Sequence, residues 1–201
     1  MVKKIRVAVL ISGQGTNMQA LHRATLDKNF PAEIVVVGSN NPQAEGLKYA
    51  TLNHIENFAI DHKKFANFSN PRKEFDQNLF IELQKYNIDL ICLAGFMRIL
   101  TTDFIEKFSN RIINIHPSLL PKFKGSNAVK DAIESGEEIT GCSTHFVIPE
   151  LDSGEIILQS KVEISKTDDY NSLLNKIHIE EYKIYPLTLK IIADKIINNK
   201  L

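Results

Sequence analysis

Short apolar runs alternate along the chain with segments in which apolar residues recur at helical spacing. In the predicted strand 6–11, the residues after Arg6 form a continuous apolar run of the kind that is buried on both faces of a parallel sheet. In contrast, Phe75, Leu79 and Leu83 recur at the spacing of an amphipathic helix. This alternation predicts an α/β fold with a doubly wound, mostly parallel sheet flanked by helices. The predicted strands are 6–11, 34–38, 57–60, 89–94, the run beginning at 112, 140–148 and 156–162. The predicted helices are one carrying Met18, Leu21 and Leu26, then 44–52, 72–86, 101–108 and 128–134, with a surface loop at 61–71.

Length and composition limit the classes of function. A chain of 201 residues with 43% hydrophobic residues suits one domain, residues 1–201, with a well-buried core. Lys plus Arg number 24 and Asp plus Glu number 24, so the charge balance gives no reason to expect a nucleic acid or an anionic membrane as partner. We therefore expect a soluble globular protein.

The cysteines and the amino terminus point to a cytoplasmic location. Cys92 and Cys142 lie in apolar surroundings without metal-ligand spacing, so both are predicted to be reduced core thiols. The basic start at residues 1–4 and the apolar run after it resemble a signal peptide superficially. That run is short and ends in Ser12 and Gly13 instead of a small-residue cleavage site, and no transmembrane segment is predicted.

A glycine loop joins the first strand to the first helix. Backbone N–H groups at such a helix start can bind an anion, although an ordinary tight turn also uses glycine. A nicotinamide site would need a third glycine, where Met18 stands, and an acidic residue after the second strand, where Ser39 and Asn40 stand. A smaller phosphate monoester is the better hypothesis. The predicted loop comprises Gly13, Gln14, Gly15, Thr16 and Asn17.

Two polar residues stand where the strand beginning at Ile112 ends. Asn114 and His116 are two apart, so their side chains project from the same face of the strand. An amide N–H could hold a developing oxyanion, and an imidazole could move a proton near neutral pH. The alternative is that both residues cap the strand end by bonding to the backbone.

Four further positions have a structural and a functional interpretation. Residues 95–100 leave the carboxyl end of a strand as an apolar loop, which suits either a pocket wall for a flat ligand or core packing. Arg72 could reach a phosphate or remain solvated. His145 alone suits a satisfied core histidine, and Asp152 alone suits a turn former.

Taken together, these segments resemble the glycinamide ribonucleotide formyltransferase family. The resemblance rests on residues 12–17, 94–100, 114–121 and 151–154, in that order, and extends to 179–186 in the last helix. It implies a Rossmann-like formyltransferase domain that ends in a long helix from 168 to about 198. The implied reaction is formyl transfer from 10-formyltetrahydrofolate, as co-substrate, to the amine of 5'-phosphoribosylglycinamide in purine synthesis. No metal is implied, and we expect a monomer or weak homodimer.

The resemblance also assigns roles by position. Asn114, His116 and Asp152 are implied to be catalytic, with Asn114 and His116 donating to the oxyanion and Asp152 favouring the imidazolium and relaying a proton. Ser143 and His145 are implied to support the floor of the site. The glycine loop is implied to hold the phosphate, with Arg72 a candidate partner and Glu181 at the ribose. The implied folate pocket is lined by Met97, Arg98, Ile99 and Leu100, and Leu120-Pro121 is a candidate cis peptide bond.

One segment departs from the family, and three other functions compete. Residues 126–129 lack a histidine that many relatives carry there, which bears on the behaviour of the loop and not on the reaction. Formyltetrahydrofolate hydrolase would be expected to have an additional regulatory domain before residue 5. Methionyl-tRNA formyltransferase would be expected to have an additional basic domain after residue 201. A non-catalytic phosphate sensor would not need Asn114, His116 and Asp152.

Overall fold

Seven strands form one sheet in the computed structural model, which describes residues 3–201. Their spatial order is β3-β2-β1-β4-β5-β6-β7. Strands β1 to β5 run parallel, while β6 is antiparallel to both β5 and β7, so the prediction of a mostly parallel sheet is confirmed. Residues 1 and 2 of the predicted domain lie outside the described residues. The strands are β1 Ile5–Ile11, β2 Ala32–Ser39, β3 Asn57–Ala59, β4 Leu90–Leu93, β5 Ile112–His116, β6 Ile139–Phe146 and β7 Ile156–Glu163.

Helices cover both faces of the sheet, as expected for a doubly wound fold. One apolar cluster joins α1, α2 and α6 to the sheet, and a second joins α3 and α4 to the opposite face. Burial of apolar surface on both faces explains why β4 is apolar along its whole length and β1 is apolar everywhere except at Arg6. The helices are α1 Thr16–Thr25, α2 Glu45–Leu52, α3 Pro71–Gln84, α4 Thr102–Lys107, α5 Ala128–Glu134 and α6 Tyr170–Ile197.

Capping side chains set the starts of three helices. Asp169 accepts from the backbone N–H of Ser172, whose side chain accepts in return from the backbone N–H of Asp169, and this capping box begins α6. Thr101 caps α4, and Asn70 caps α3 just before the proline at its first position. The long last helix is therefore confirmed, with its start two residues later than expected.

Several local predictions differ from the structure. Leu26 is 67% exposed and lies just beyond α1, because that helix ends at Thr25 and turns the side chain away from the core. The loop predicted at 61–71 contains a short 3₁₀ helix, His62–Phe65, capped by Asp61. Strand β6 ends at Phe146, so residues 147 and 148 belong to the connection that follows it.

The two cysteines are buried, as predicted. Burial raises the pKa of Cys92 and of Cys142 to about 12, so both thiols stay protonated near neutral pH. Among residues 3–201, no helix is long and apolar enough to cross a bilayer.

The order of the strands reverses between β1 and β4. From β1 the chain continues through β2 and β3 on one side and then returns to β4 on the other. In open α/β sheets, ligands bind at the carboxyl ends of the strands at such a point, because the two connections diverge and leave a crevice. Ser12 follows β1 there, and the 95–100 segment follows β4 closely.

Candidate active site

A cleft of about 400 Å³ opens at the carboxyl ends of β4 and β5. One of its walls is apolar and partly exposed, since Met97 is 72% and Ile99 is 50% exposed. The floor carries the polar side chains that the sequence singled out. Lining residues include Gly95, Phe96, Met97, Arg98, Ile99, Leu100, Asn114, His116, Gly125, Ser126, His145, Val147, Ile148, Leu151 and Asp152. The predicted catalytic residues and the predicted folate segment therefore share one cleft.

Strand pairing brings two of these side chains to their neighbours. Strands β5 and β6 are antiparallel, with Asn114 opposite His145 and His116 opposite Ser143. Residues directly opposite in an antiparallel pair project from the same face of the sheet. The Asn114 amide nitrogen accordingly lies 3.2 Å from Nε2 of His145. The period-two prediction for Asn114 and His116 thus holds, and Ser143 and His145, which the resemblance implied for the floor of the site, project from the same face.

Asp152 completes a polar cluster with two histidines. Its carboxylate lies 3.4 Å from Nδ1 of His116 and 3.5 Å from Nε2 of His145. The backbone N–H of Gly125 donates to it at 2.9 Å. The side chain of Asp152 is only 8% exposed, and its backbone is left-handed with φ of 47°. The interpretation of Asp152 as a simple turn former is therefore incomplete, because its carboxylate faces inward.

Hydrogen bonding fixes the tautomer of His116. Its Nε2 lies 2.8 Å from the carbonyl oxygen of Phe123, and because a carbonyl only accepts, Nε2 must carry a proton. The second nitrogen, Nδ1, lies 3.4 Å from the Asp152 carboxylate and carries no proton when the ring is neutral. The family resemblance implied donation from His116 to a substrate oxygen, whereas in this structure the Nε2 proton is donated to the Phe123 carbonyl.

The balance of burial and charge sets the protonation of this pair. Burial lowers the pKa of His116 and outweighs the Phe123 hydrogen bond and the charge of Asp152, both of which raise it. Asp152 thus acts in the predicted direction, but the net effect leaves the imidazole neutral near pH 7. For Asp152, burial raises the pKa, yet the hydrogen bond with His145 and, at acidic pH, the positive charge of protonated His116 outweigh burial and hold that pKa below its usual value.

Ser143 is a junction beneath the loop that follows β5. Its hydroxyl donates to the carbonyl of Ser118 at 2.6 Å and accepts from the N–H of Leu120 at 3.0 Å. The side-chain amide of Gln159 donates to the same oxygen at 2.8 Å. The Leu120-Pro121 peptide bond is cis, as the resemblance suggested. Ser143 therefore holds the loop after β5, and the Phe123 carbonyl of that loop in turn accepts from His116.

The predicted phosphate loop lies at the amino end of α1. Gly15 adopts a left-handed conformation with φ of 70°, which favours glycine, and no side chain caps the helix. Asn17 is 8% exposed; its Nδ2 donates to Glu181 at 2.7 Å, and its Oδ1 is buried without a partner within the described chain. Burial raises the pKa of Glu181 to about 7. Asn17 thus links the glycine loop to Glu181 through a buried hydrogen bond.

Arg72 does not join the glycine loop. It is exposed in the first turn of α3, and within residues 3–201 it makes no hydrogen bond or ion pair with residues 13–17. Its positive charge, like that of Arg98, acts on the buried carboxylate of Asp76, whose pKa burial raises. Arg98 itself stacks on Phe75 at 5.3 Å from the ring centre.

Comparison with known proteins identifies the family. The model of the family described as formyl transferase matches residues 5–189. A phosphoribosylglycinamide formyltransferase of Haemophilus influenzae is 43% identical over 92% of this chain and 85% of its own length. This chain belongs to the formyl transferase family. It groups within that family with the phosphoribosylglycinamide formyltransferases.

A larger relative and a solved structure agree with this family. The human trifunctional purine biosynthetic protein adenosine-3 is 45% identical over 95% of this chain, which spans 18% of the length of that protein. Glycinamide ribonucleotide transformylase 1 of Symbiobacterium toebii has a TM-score of 0.90 at 39% identity, covering 95% of this chain and 88% of its own. The doubly wound fold predicted from the sequence is therefore the fold of this formyltransferase family.

Sequence reasoning missed the backbone groups of the site. The Phe123 carbonyl accepts from His116, and the Gly125 N–H donates to Asp152. Phe123 and Gly125 both have left-handed backbones, with φ of 55° and 85°. The Lys124-Gly125 pair signals a turn, but no sequence pattern shows where its carbonyl points. Within residues 3–201, no three His, Cys, Asp or Glu side chains come together as a metal site.

Proposed function

We propose that this formyltransferase transfers the formyl group of 10-formyltetrahydrofolate to the amine of 5'-phosphoribosylglycinamide. The products are formylglycinamide ribonucleotide and tetrahydrofolate. The observation that supports this most is the convergence of Asn114, His116 and Asp152 in a cleft whose other wall is exposed and apolar. An apolar wall suits a flat folate ring, and the polar floor suits acyl transfer to an amine.

The chemistry needs one stabilised oxygen and one moved proton. Attack of the amine on the formyl carbon forms a C–N bond and places negative charge on the formyl oxygen, to which Asn114 donates an N–H. The attacking nitrogen then loses a proton, and His116, neutral at the start, takes it at Nδ1 directly or through water. The protonated His116 then passes this proton, directly or through water, to the folate nitrogen as the bond between that nitrogen and the formyl carbon breaks, so no net proton is consumed.

Asp152 makes this proton transfer favourable. Its carboxylate, 3.4 Å from Nδ1 of His116, stabilises the imidazolium that forms once the proton arrives. The Phe123 carbonyl keeps the other proton on Nε2, so only Nδ1 is available as a base. His145 holds Asn114 from the opposite strand and keeps its amide facing the cleft.

Substrate binding is divided between the two loops at the switch point. The N–H groups of Gly13, Gln14, Gly15, Thr16 and Asn17 at the start of α1 suit the phosphate, because a helix amino end carries partial positive charge. Glu181, behind Asn17, is proposed to meet the ribose. The segment Met97, Arg98, Ile99 and Leu100 is proposed to hold the folate. Arg72, exposed in the first turn of α3, is kept as a candidate partner of the phosphate.

We further propose that residues 1–201 form a single formyltransferase domain. The family match over residues 5–189 supports this extent. We propose a monomer or weak homodimer that works in the cytoplasm on small molecules, without nucleic acid, membrane or metal. The equal numbers of acidic and basic residues, 24 each, and the two buried thiols support this setting.

A direct assay tests the proposed reaction. Purified protein is mixed with 10-formyltetrahydrofolate, with and without phosphoribosylglycinamide, and tetrahydrofolate formation is followed by absorbance. We expect tetrahydrofolate only when the amine is present, and we expect Asn114→Ala to lose about 100-fold or more in kcat because an oxyanion donor is removed. Tetrahydrofolate formation that does not depend on the amine would instead support the hydrolase alternative.

A further inference from the structure

Ser12 connects the two loops at the switch point of the sheet. It follows β1 and immediately precedes Gly13, so it is joined covalently to the proposed phosphate loop. Its N–H donates to the carbonyl of Gly95 at 3.0 Å, and its Oγ accepts from the N–H of Met97 at 2.7 Å. Both partners belong to the segment after β4 that forms the wall of the cleft. Ser12 therefore spans the crevice between the two halves of the site.

The segment held by Ser12 has few other polar ties. Within the described chain, the N–H of Met97 is the only backbone group of residues 96–100 that makes a hydrogen bond. Phe96 and Leu100 anchor the segment by burial, at 9% and 5% exposure, while Met97 and Ile99 between them are largely exposed. The hydrogen bond between Ser12 and Met97 thus fixes the position of the 96–100 backbone relative to the phosphate loop.

The Ser12 hydroxyl is itself oriented by a buried amide. Its proton is donated to Oδ1 of Asn40 at 2.5 Å, and Asn40 is only 4% exposed. A hydroxyl that donates in a fixed direction presents its lone pairs in a fixed direction too, and here one of them receives Met97. Asn40 follows β2, so three neighbouring strand ends set the position of one oxygen.

We propose that Ser12 is a positioning residue that couples the two substrate sites, so that binding at the phosphate loop tightens binding at the Met97 wall. Anion binding restrains residues 13–17 and with them Ser12. The wall is then held in place before the folate arrives, and less conformational freedom is lost on folate binding. Because coupling of binding is reciprocal, the folate tightens binding of the phosphate ester by the same factor. This inference rests on the proposed function for the identity of the two ligands.

The test measures coupling and not activity alone. The dissociation constant of tetrahydrofolate is determined by calorimetry with and without saturating phosphoribosylglycinamide. In the wild type we expect tetrahydrofolate to bind about 5-fold or more tightly when the ribonucleotide is present. In Ser12→Ala the ratio should fall to within about twofold of unity, and in Ser12→Thr, which keeps the hydroxyl, it should recover.

A matched control separates coupling from a general loss of a hydroxyl. Ser135 lies at the end of α5; like Ser12 it donates one hydrogen bond, to Ala132 at 2.8 Å, and accepts one, from Glu137 at 3.3 Å. Ser135→Ala should therefore keep the wild-type ratio. If Ser12→Ala fails to fold, Asn40→Ala, which frees the hydroxyl to rotate, should lower the ratio in the same way.

The outcomes separate this inference from the proposed function. A wild type that transfers formyl groups but shows a ratio near unity, or the same ratio in Ser12→Ala or Asn40→Ala, would overturn the coupling role and leave the reaction intact. A wild type that binds neither ligand and forms no product would overturn the proposed function and the coupling together.

Discussion

Replacing Asp152 by asparagine removes one charge from the site and keeps its shape. The amide oxygen can still accept from the N–H of Gly125, so the turn at residue 152 should persist. At 3.4 Å from Nδ1 of His116, a unit charge pair is worth about 5 kcal/mol at an effective dielectric constant of about 20. Solvent and relaxation screen part of this, and we expect about 2–4 kcal/mol of lost transition-state stabilisation, which corresponds to a roughly 30- to 1,000-fold fall in kcat.

The same substitution should move the pH dependence of the reaction. The charge of Asp152 raises the pKa of His116, so its removal lowers that pKa further below 6.5. The acidic limb of the profile of kcat against pH should then shift to lower pH, because neutral imidazole persists there, while the plateau falls. Initial rates of tetrahydrofolate formation between about pH 5 and 8 measure both effects.

The control makes the same chemical change at the protein surface. Asp194, 48% exposed and paired with Lys190 in α6, is replaced by asparagine and should leave kcat and its pH profile unchanged. Near-normal turnover of Asp152→Asn, or an acidic limb that moves to higher pH, would refute the role of Asp152. A large drop in the melting temperature would show instead that the carboxylate is needed mainly for folding.

Three further predictions test the loop, the buried acid and the core. Gly15→Ala forces an L-residue to φ of 70° and places its Cβ 3.1 Å from the side chain of Met18. This substitution should lower the free energy of unfolding by about 1–2 kcal/mol and raise KM for phosphoribosylglycinamide. The control, Gly136→Ala, has the same kind of backbone, with φ of 72°, but open space around its Cβ, and should leave KM unchanged. In denaturant titrations, the free energy of unfolding of the wild type should fall by up to roughly 3 kcal/mol, relative to that of Glu181→Gln, as the pH rises from 4.5 to about 7. The reason is that the raised pKa of Glu181 opposes its ionisation in the folded state. A difference in the free energy of unfolding that does not change with pH would contradict the burial of this acid. Tyr185→Phe removes a buried hydroxyl whose proton is shared between two sheet carbonyls at 2.8 and 3.2 Å. Thermal melting should show a loss of about 1–3 kcal/mol in the free energy of unfolding, whereas Tyr170→Phe, at an exposed position, should cost little. Equal losses in the two variants would contradict a stabilising role for the Tyr185 hydroxyl.

Periodicity predicted the fold because burial follows it directly. Strands such as β4 are apolar at every position because both faces of the sheet are covered, and a period of two placed Asn114 and His116 on one face. Leu26 shows the limit of this approach, since a helix that ends one residue earlier exposes an apolar side chain.

The candidate site depended on contacts between distant segments, which local patterns do not encode. Asp152 lies 36 residues beyond His116 in sequence, and only the folded β5 and β6 strands bring them within 3.4 Å. Family resemblance supplied this pairing, whereas composition and spacing favoured a turn former. No sequence pattern could predict that the Phe123 carbonyl contacts His116, because every residue has a carbonyl. The direction of this carbonyl depends on the backbone of the whole loop.

The fate of the formyl carbon tests the account most directly. The protein is incubated with 10-formyltetrahydrofolate carrying ¹³C in the formyl group and with phosphoribosylglycinamide, and the carbon is followed by NMR. The account predicts that the label appears in the formamide of the ribonucleotide, and that His116→Ala slows its appearance strongly. Label that appears as free formate, at a rate that does not depend on the ribonucleotide, would contradict formyl transfer.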